Sequence, residues 1–210
     1  MKSQKKILIV FAISSLIALA CNYYIYELNK DFTIVTTEKK LNNTDDYTVE
    51  DFKKLNINEL KELQEIYYAR NINDKCKLVS EIILENFNES DIDTLTILSI
   101  LSEENFEFEK ALEYRYRLLP LCERSRLPVI YDNMADIYLL TDLNKSIELL
   151  EKALKINPED EIVSLKLPFF KSLIKYYNNE NKSNYYKKII ESSDINILPS
   201  VIEFMNKKVK

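Results

Sequence analysis

The chain contains no glycine, no histidine and no tryptophan, and each absence removes a class of chemistry. Phosphate-cradling loops of the P-loop and dinucleotide types need backbone that approaches the phosphate with no Cβ in the way. Nucleotide binding by those routes is excluded. Without histidine there is no imidazole general base, no Ser-His-Asp triad, and no histidine-bearing zinc or non-haem iron site. No cofactor or metal is implied. The lack of glycine bears on fold as well, because two-residue β-hairpins and many sharp loops rely on positive φ. Helices joined by short Asn/Asp turns remain accessible. Asparagine is plentiful at the expected junctions (Asn71, Asn73, Asn88, Asn178, Asn179) and tolerates left-handed cap positions.

What is present fits one compact domain with a tether. The chain has 210 residues, of which 46% are hydrophobic and 30% charged, a globular balance with enough length to bury a core without disulfides. Residues 1–21 read MKSQKKILIVFAISSLIALAC: a basic start at Lys2, Lys5 and Lys6, an apolar run from Ile7 to Ala20, then Cys21. That order is the design of a secretion signal. The stretch Ile17-Ala18-Leu19-Ala20-Cys21 resembles a bacterial lipobox, which implies cleavage before Cys21 and lipidation of that residue. An uncleaved membrane anchor over Ile7–Tyr26 is the other reading, since the run approaches the ~20 residues that span a bilayer. Ordinary secretion is a third, and all three export the domain. Loss of the signal takes three of the 29 basic residues away, leaving 26 against 34 acidic ones and moving the net charge from -5 to -8. Nucleic acid is not an expected partner. Residues 22–47 show no sustained period and end in a polar Asn/Thr/Asp cluster, the pattern of an extended tether.

From Thr48 to the C-terminus apolar residues recur at helical spacing, punctuated by Pro or Asn/Asp/Ser clusters. Residues 131–160, YDNMADIYLLTDLNKSIELLEKALKINPED, resemble a tetratricopeptide repeat. Tyr131, Met134, Ala135 and Tyr138 match its first helix; Ser146, Leu150, Ala153 and Pro158 match its second. Thr141-Asp142 replaces the usual turn glycine, and the turn is one residue short. Upstream, Ala111 lies 35 residues before Ser146 and Cys76 35 before Ala111, close to the ~34-residue period of that family. Downstream, residues 168–193 read as a degraded fourth unit, with Pro168 breaking its first helix, and ILPSVIEFMNKKVK as a final capping helix. A helical bundle without repeats would share the periodicity but not the constant spacing. The expected fold is therefore all-α: a short right-handed superhelix of antiparallel helix pairs over residues 48–210.

Cys76 and Cys122 form an even pair in an exported chain, but repeat register puts them roughly 16 Å apart along near-parallel helices, beyond the ~7 Å reach of a disulfide. Both are expected as thiols, Cys76 in the core. Glu103-Glu104 and Glu159, Asp160 and Glu161 could be imagined as the acid/base pair of a glycan-cleaving enzyme. Helix-end positions, where acidic groups complement the dipole or close a helix, account for them better. Tyrosines are enriched, and four of the five arginines (Arg115, Arg117, Arg124, Arg126) surround one join between units. They are read as a solvated face or as an anion clamp, since the guanidinium fork suits carboxylates. By the family resemblance, the first helix of each unit lines a concave surface that holds a peptide or partner helix. The residues so implied are Tyr68, Arg70, Thr96, Ser102, Asp132, Asp136 and Leu139. The functional expectation is a membrane-tethered scaffold that binds a protein or peptide of the bacterial cell envelope without catalysis. A carboxylate-based enzyme acting on envelope glycan, or a self-associating structural lipoprotein, are the alternatives.

Overall fold

The computed structural model of the chain describes residues 47–177, 182–192 and 194–209. Cys21, the signal or anchor and nearly all of the tether lie outside them. Among the described residues no helix is long and apolar enough to cross a membrane. The fold is all-α and repeat-like, with eleven helices and no strand among these residues. A four-residue helix, α1 (Val49–Phe52), is closed by a capping box between Thr48 and Asp51. It belongs to one compact unit, and the helix pairs belong to another that starts at Leu55.

Three antiparallel pairs follow: α2 (Ile57–Ala69) with α3 (Asn73–Asn86), α4 (Ile92–Glu104) with α5 (Phe108–Leu118), and α6 (Leu127–Tyr138) with α7 (Leu143–Ile156). A 3-10 turn, Arg124–Arg126, leads into α6. Three of these six starts carry a side-chain cap. Asn56 and Glu59 form a capping box on α2, and Asp91 and Asp142 accept the Thr94 and Lys145 N–H groups at the starts of α4 and α7, satisfying donors that a helix leaves orphaned. The first two turns within pairs are built alike. In each, the chain ends its helix with a left-handed residue, Asn71 (φ 55°) and then Phe106 (φ 59°), exactly one repeat apart. The Asn71 and Ile72 N–H groups bond to Tyr68 and Tyr67, and those of Phe106 and Glu107 to Glu103 and Ser102, which is the Schellman arrangement. The third turn is not short as expected: it spans residues 139–142, against 70–72 and 105–107 in the first two, and it dispenses with the left-handed residue, the Asp142 N–H returning to Tyr138 instead.

Successive pairs meet through contacts that recur about one repeat apart. Lys61 pairs with Asp91, Lys77 with Glu107, and a buried chain of hydrogen bonds joins Ser80, Gln64 and Thr94. The small residues Cys76, Ala111, Ser146 and Ala153 are all fully buried at the pair crossings, where a larger side chain would hold the helices apart. Cys76 and Cys122 are free thiols, the first buried and the second half-buried. Buried apolar side chains extend from Leu60, Tyr67, Val79 and Ile83 of the first pair through a cluster at Leu84, Leu95, Leu98 and Leu118 to a larger one between Phe108 and Met205.

The C-terminal third departs from expectation twice. The helix α8 (Glu161–Ser172), capped by Asp160, continues through Pro168 rather than breaking there; one turn forfeits a hydrogen bond while Phe170 and Val163 still reach the core. Then α9 (Ile174–Tyr177) and α10 (Lys182–Ile190) lead to α11 (Pro199–Val209). That last helix does not simply close the end of the array. It reaches back to α4 and α6, where Ser200 bonds to Glu103 and the Leu198 N–H to Asp136.

Candidate protein-binding groove

Between α4 and α6 lies an open groove of about 370 Å³. Its walls follow from helical phase. Asp93, Thr96 and Ile100 of α4, and Arg126, Val129 and Asn133 at the start of α6, each recur at i, i+3 and i+7, so each set forms one stripe. The stripes turned the other way, Leu95 and Leu98, Met134 and Ala135, are fully buried. Arg115 and Leu118 of α5 supply the floor, with Cys122 beside them. Val129 is 60% exposed, an apolar contact left facing solvent.

Arg115 gives the floor its charge. Only 4% exposed, it occupies a position in α5 where the phase calls for an apolar side chain. Its Nη2 donates to Glu103 at the end of α4, and Glu103 accepts a second hydrogen bond from the Ser200 hydroxyl at 2.8 Å. Among the described residues, Arg115 Nη1 and the Ser102 hydroxyl are buried with no hydrogen-bond partner. The groove floor thus holds a donor whose full strength in a low dielectric is unspent.

A second buried charge cluster sits beyond the groove. Lys166 of α8, 2% exposed, donates to Asp132 at 2.7 Å and to both carboxylate oxygens of Asp136 at 2.9 and 3.0 Å. The Leu198 N–H adds a third hydrogen bond to Asp136 at 2.9 Å. Burial dominates the titration of Asp136 and pushes it up to about 7, against the downward pull of Lys166. Asp132 is raised for the same reason.

Of the residues expected to bind a partner, the structure brings Thr96, Arg115 and Arg126 to one groove. Ser102, Asp136 and Leu139 were expected on an accessible concave surface and are instead buried at 0, 1 and 0% exposure; Asp132 is mostly covered by its pairing with Lys166. The cause lies in the C-terminal segment, which covers Asp136 and holds the Leu139 carbonyl through the Tyr185 hydroxyl. Tyr68 and Arg70 are exposed at the end of α2 and do not line the groove. The four arginines do not form one patch. Arg117 turns to the Glu89 carbonyl and packs over Tyr114, while Arg124 is exposed in the 3-10 turn away from the lining.

Of the carboxylates weighed for catalysis, Glu103 pairs with Arg115, Glu104 accepts from the Asn73 amide and Asp160 caps α8. Sequence reasoning missed Val129, Asn133, Lys166 and Ser200. For Lys166 a signal existed, because Asp132 and Asp136 stand one turn apart on one helix face and call for a cation. Compared with known proteins, the chain matches no family model, and no curated protein matches it.

Proposed function

We propose that the chain is a tetratricopeptide-type scaffold, tethered to a bacterial membrane through its N-terminus, that binds a protein of the cell envelope by inserting a segment of that protein between α4 and α6. It acts by positioning a partner and not by catalysis. The observation that supports this reading is the open α4–α6 groove itself, which combines exposed apolar Val129, the amide of Asn133 and the arginines Arg115 and Arg126 on rigid helices. An apolar contact ringed by a few fixed polar groups is what short-segment recognition requires. The exposed guanidinium of Arg126 at the start of α6 suits an acceptor on the bound segment, while Arg115, held by Glu103, lends the floor its positive charge.

Affinity capture from detergent-solubilised envelope extract, with the full chain as bait, tests the reading. A saturable partner is expected, with binding reduced at least tenfold by Val129→Glu or Arg126→Glu and unchanged by Arg117→Glu, which lies outside the groove. Capture that ignores all three substitutions, or recovers glycan alone, overturns it.

A further inference from the structure

The inner ends of α4 and α6 are already occupied. Three features of α11 and the residue before it meet that surface in a fixed order. The Leu198 N–H reaches Asp136 at 2.9 Å, the Ser200 hydroxyl reaches Glu103 at 2.8 Å, and Phe204 stands edge-on to Phe108 with ring centroids 5.4 Å apart. Val201 and Met205, one turn apart, are fully buried on the same helix. Lys207 lies 4.1 Å above the ring of Phe106. We propose that this surface is a receptor for a short amphipathic helix, and that α11 is its own reversible occupant, seated where a partner helix would dock.

The direction of the contacts separates this from a plain end cap. A cap covers the last unit of an array with a polar outer face. Here the polar contacts skip back across 62 and 97 residues to the second and third pairs. They show the pattern of helix-in-groove recognition, anchors at i and i+4 with a donor at the leading end.

Two further observations make the seat reversible. First, the packing is incomplete. An open crevice of about 710 Å³ remains beside α11, its apolar walls Phe108, Leu112, Ile137 and Phe204 rimmed by Glu109, Lys182 and Lys208; apolar walls with no atoms opposite them forgo their dispersion contacts. Second, departure of α11 strands no charge. Glu103 keeps Arg115, Asp136 keeps Lys166, and water can replace the two donors that leave. Phe106, held in a left-handed conformation that is costly for a non-glycine residue, lies at this contact with its ring against Phe204. The inference concerns the covered face and stands whether or not the open groove takes the partner proposed above.

The test uses the full chain and a fluorescein-labelled peptide of residues 194–210. The wild-type chain, its face filled, is expected to bind the peptide at least tenfold more weakly than a Ser200→Ala/Phe204→Ala chain, whose own helix is loosened. Adding Phe108→Ala to that chain removes the receptor side and should abolish the gain. In native-state hydrogen exchange of the wild type, α11 amides are expected to exchange at least tenfold faster than those of α6 and α7. If α11 exchanges only with global unfolding, or the doubly substituted chain either unfolds or fails to bind the peptide, α11 is a fixed part of the core and the proposal is overturned.

Discussion

The most consequential single side chain is Lys166. A lysine buried at 2% exposure is tolerable only because Asp132 and Asp136 surround it, and removing the cation leaves two buried carboxylates without their partner. Lys166→Met should therefore destabilise the chain by about 3–5 kcal/mol, read as a shift of the urea midpoint at pH 7.5. The same cluster fixes a pH dependence. Asp136 titrates near 7 in the folded chain, above its ordinary 3.8, so between those values the folded state binds the extra proton. Its contribution to stability is greatest in acid and is lost as pH rises toward 7. Asp91, where burial is outweighed by the hydrogen bond from Lys61 and those from Thr94, is lowered and contributes in the opposite sense on the acid side. Melting temperatures of the wild type and Asp136→Asn at pH 5 and 7.5 separate the two: the wild type should lose more stability, or gain less, over that rise. Equal changes would mean that Asp136 ionises normally.

At the scale of elements, stability rests on caps and turns. Asp142 accepts the Lys145 N–H at 2.9 Å at the head of α7, where the third turn offers no left-handed residue to share the work. Asp142→Ala should cost about 1 kcal/mol, measurable by thermal unfolding, and leave the α4–α6 groove intact. Much of this level was legible in the sequence. The spacing of Cys76, Ala111 and Ser146 gave three pairs in register, and helical phase identified the buried stripes. The left-handed turn at Asn71 follows from asparagine, but Phe106 carries no such signature and takes the same role because the repeat demands it there. Pro168 was misleading, since a proline shifts helix propensity while tertiary burial of Phe170 and Val163 decides the outcome. What phase cannot reveal is cover supplied from far along the chain. Asp136 and Leu139 read as surface positions from helical phase, and it is Lys166 of α8, the Leu198 N–H and the Tyr185 hydroxyl, all from farther along the chain, that meet them.

For the whole molecule, buried apolar side chains run through every pair, Tyr67 and Ile83 in the first as fully as Met134 and Leu150 in the third, but among the repeats the first pair adjoins a single neighbouring pair whereas the third is packed from both sides. In a chain of units that touch mainly their neighbours, protection should follow that distribution. Hydrogen exchange is expected to be slowest in α6 and α7 and measurably faster in α2 and α3; uniform protection across all three pairs would show that the array unfolds as one block. The return of α11 also sets the terms on which any rival can bind the covered face. Suppose the helix is seated in roughly 99 molecules of 100; a rival for that face then shows an affinity about a hundredfold below its intrinsic value. Its competitor is tethered, and so cannot be diluted away. Occupancy would then answer to the rival's concentration and to anything that loosens Ser200 or Phe204, while the total amount of the protein would leave the balance unchanged.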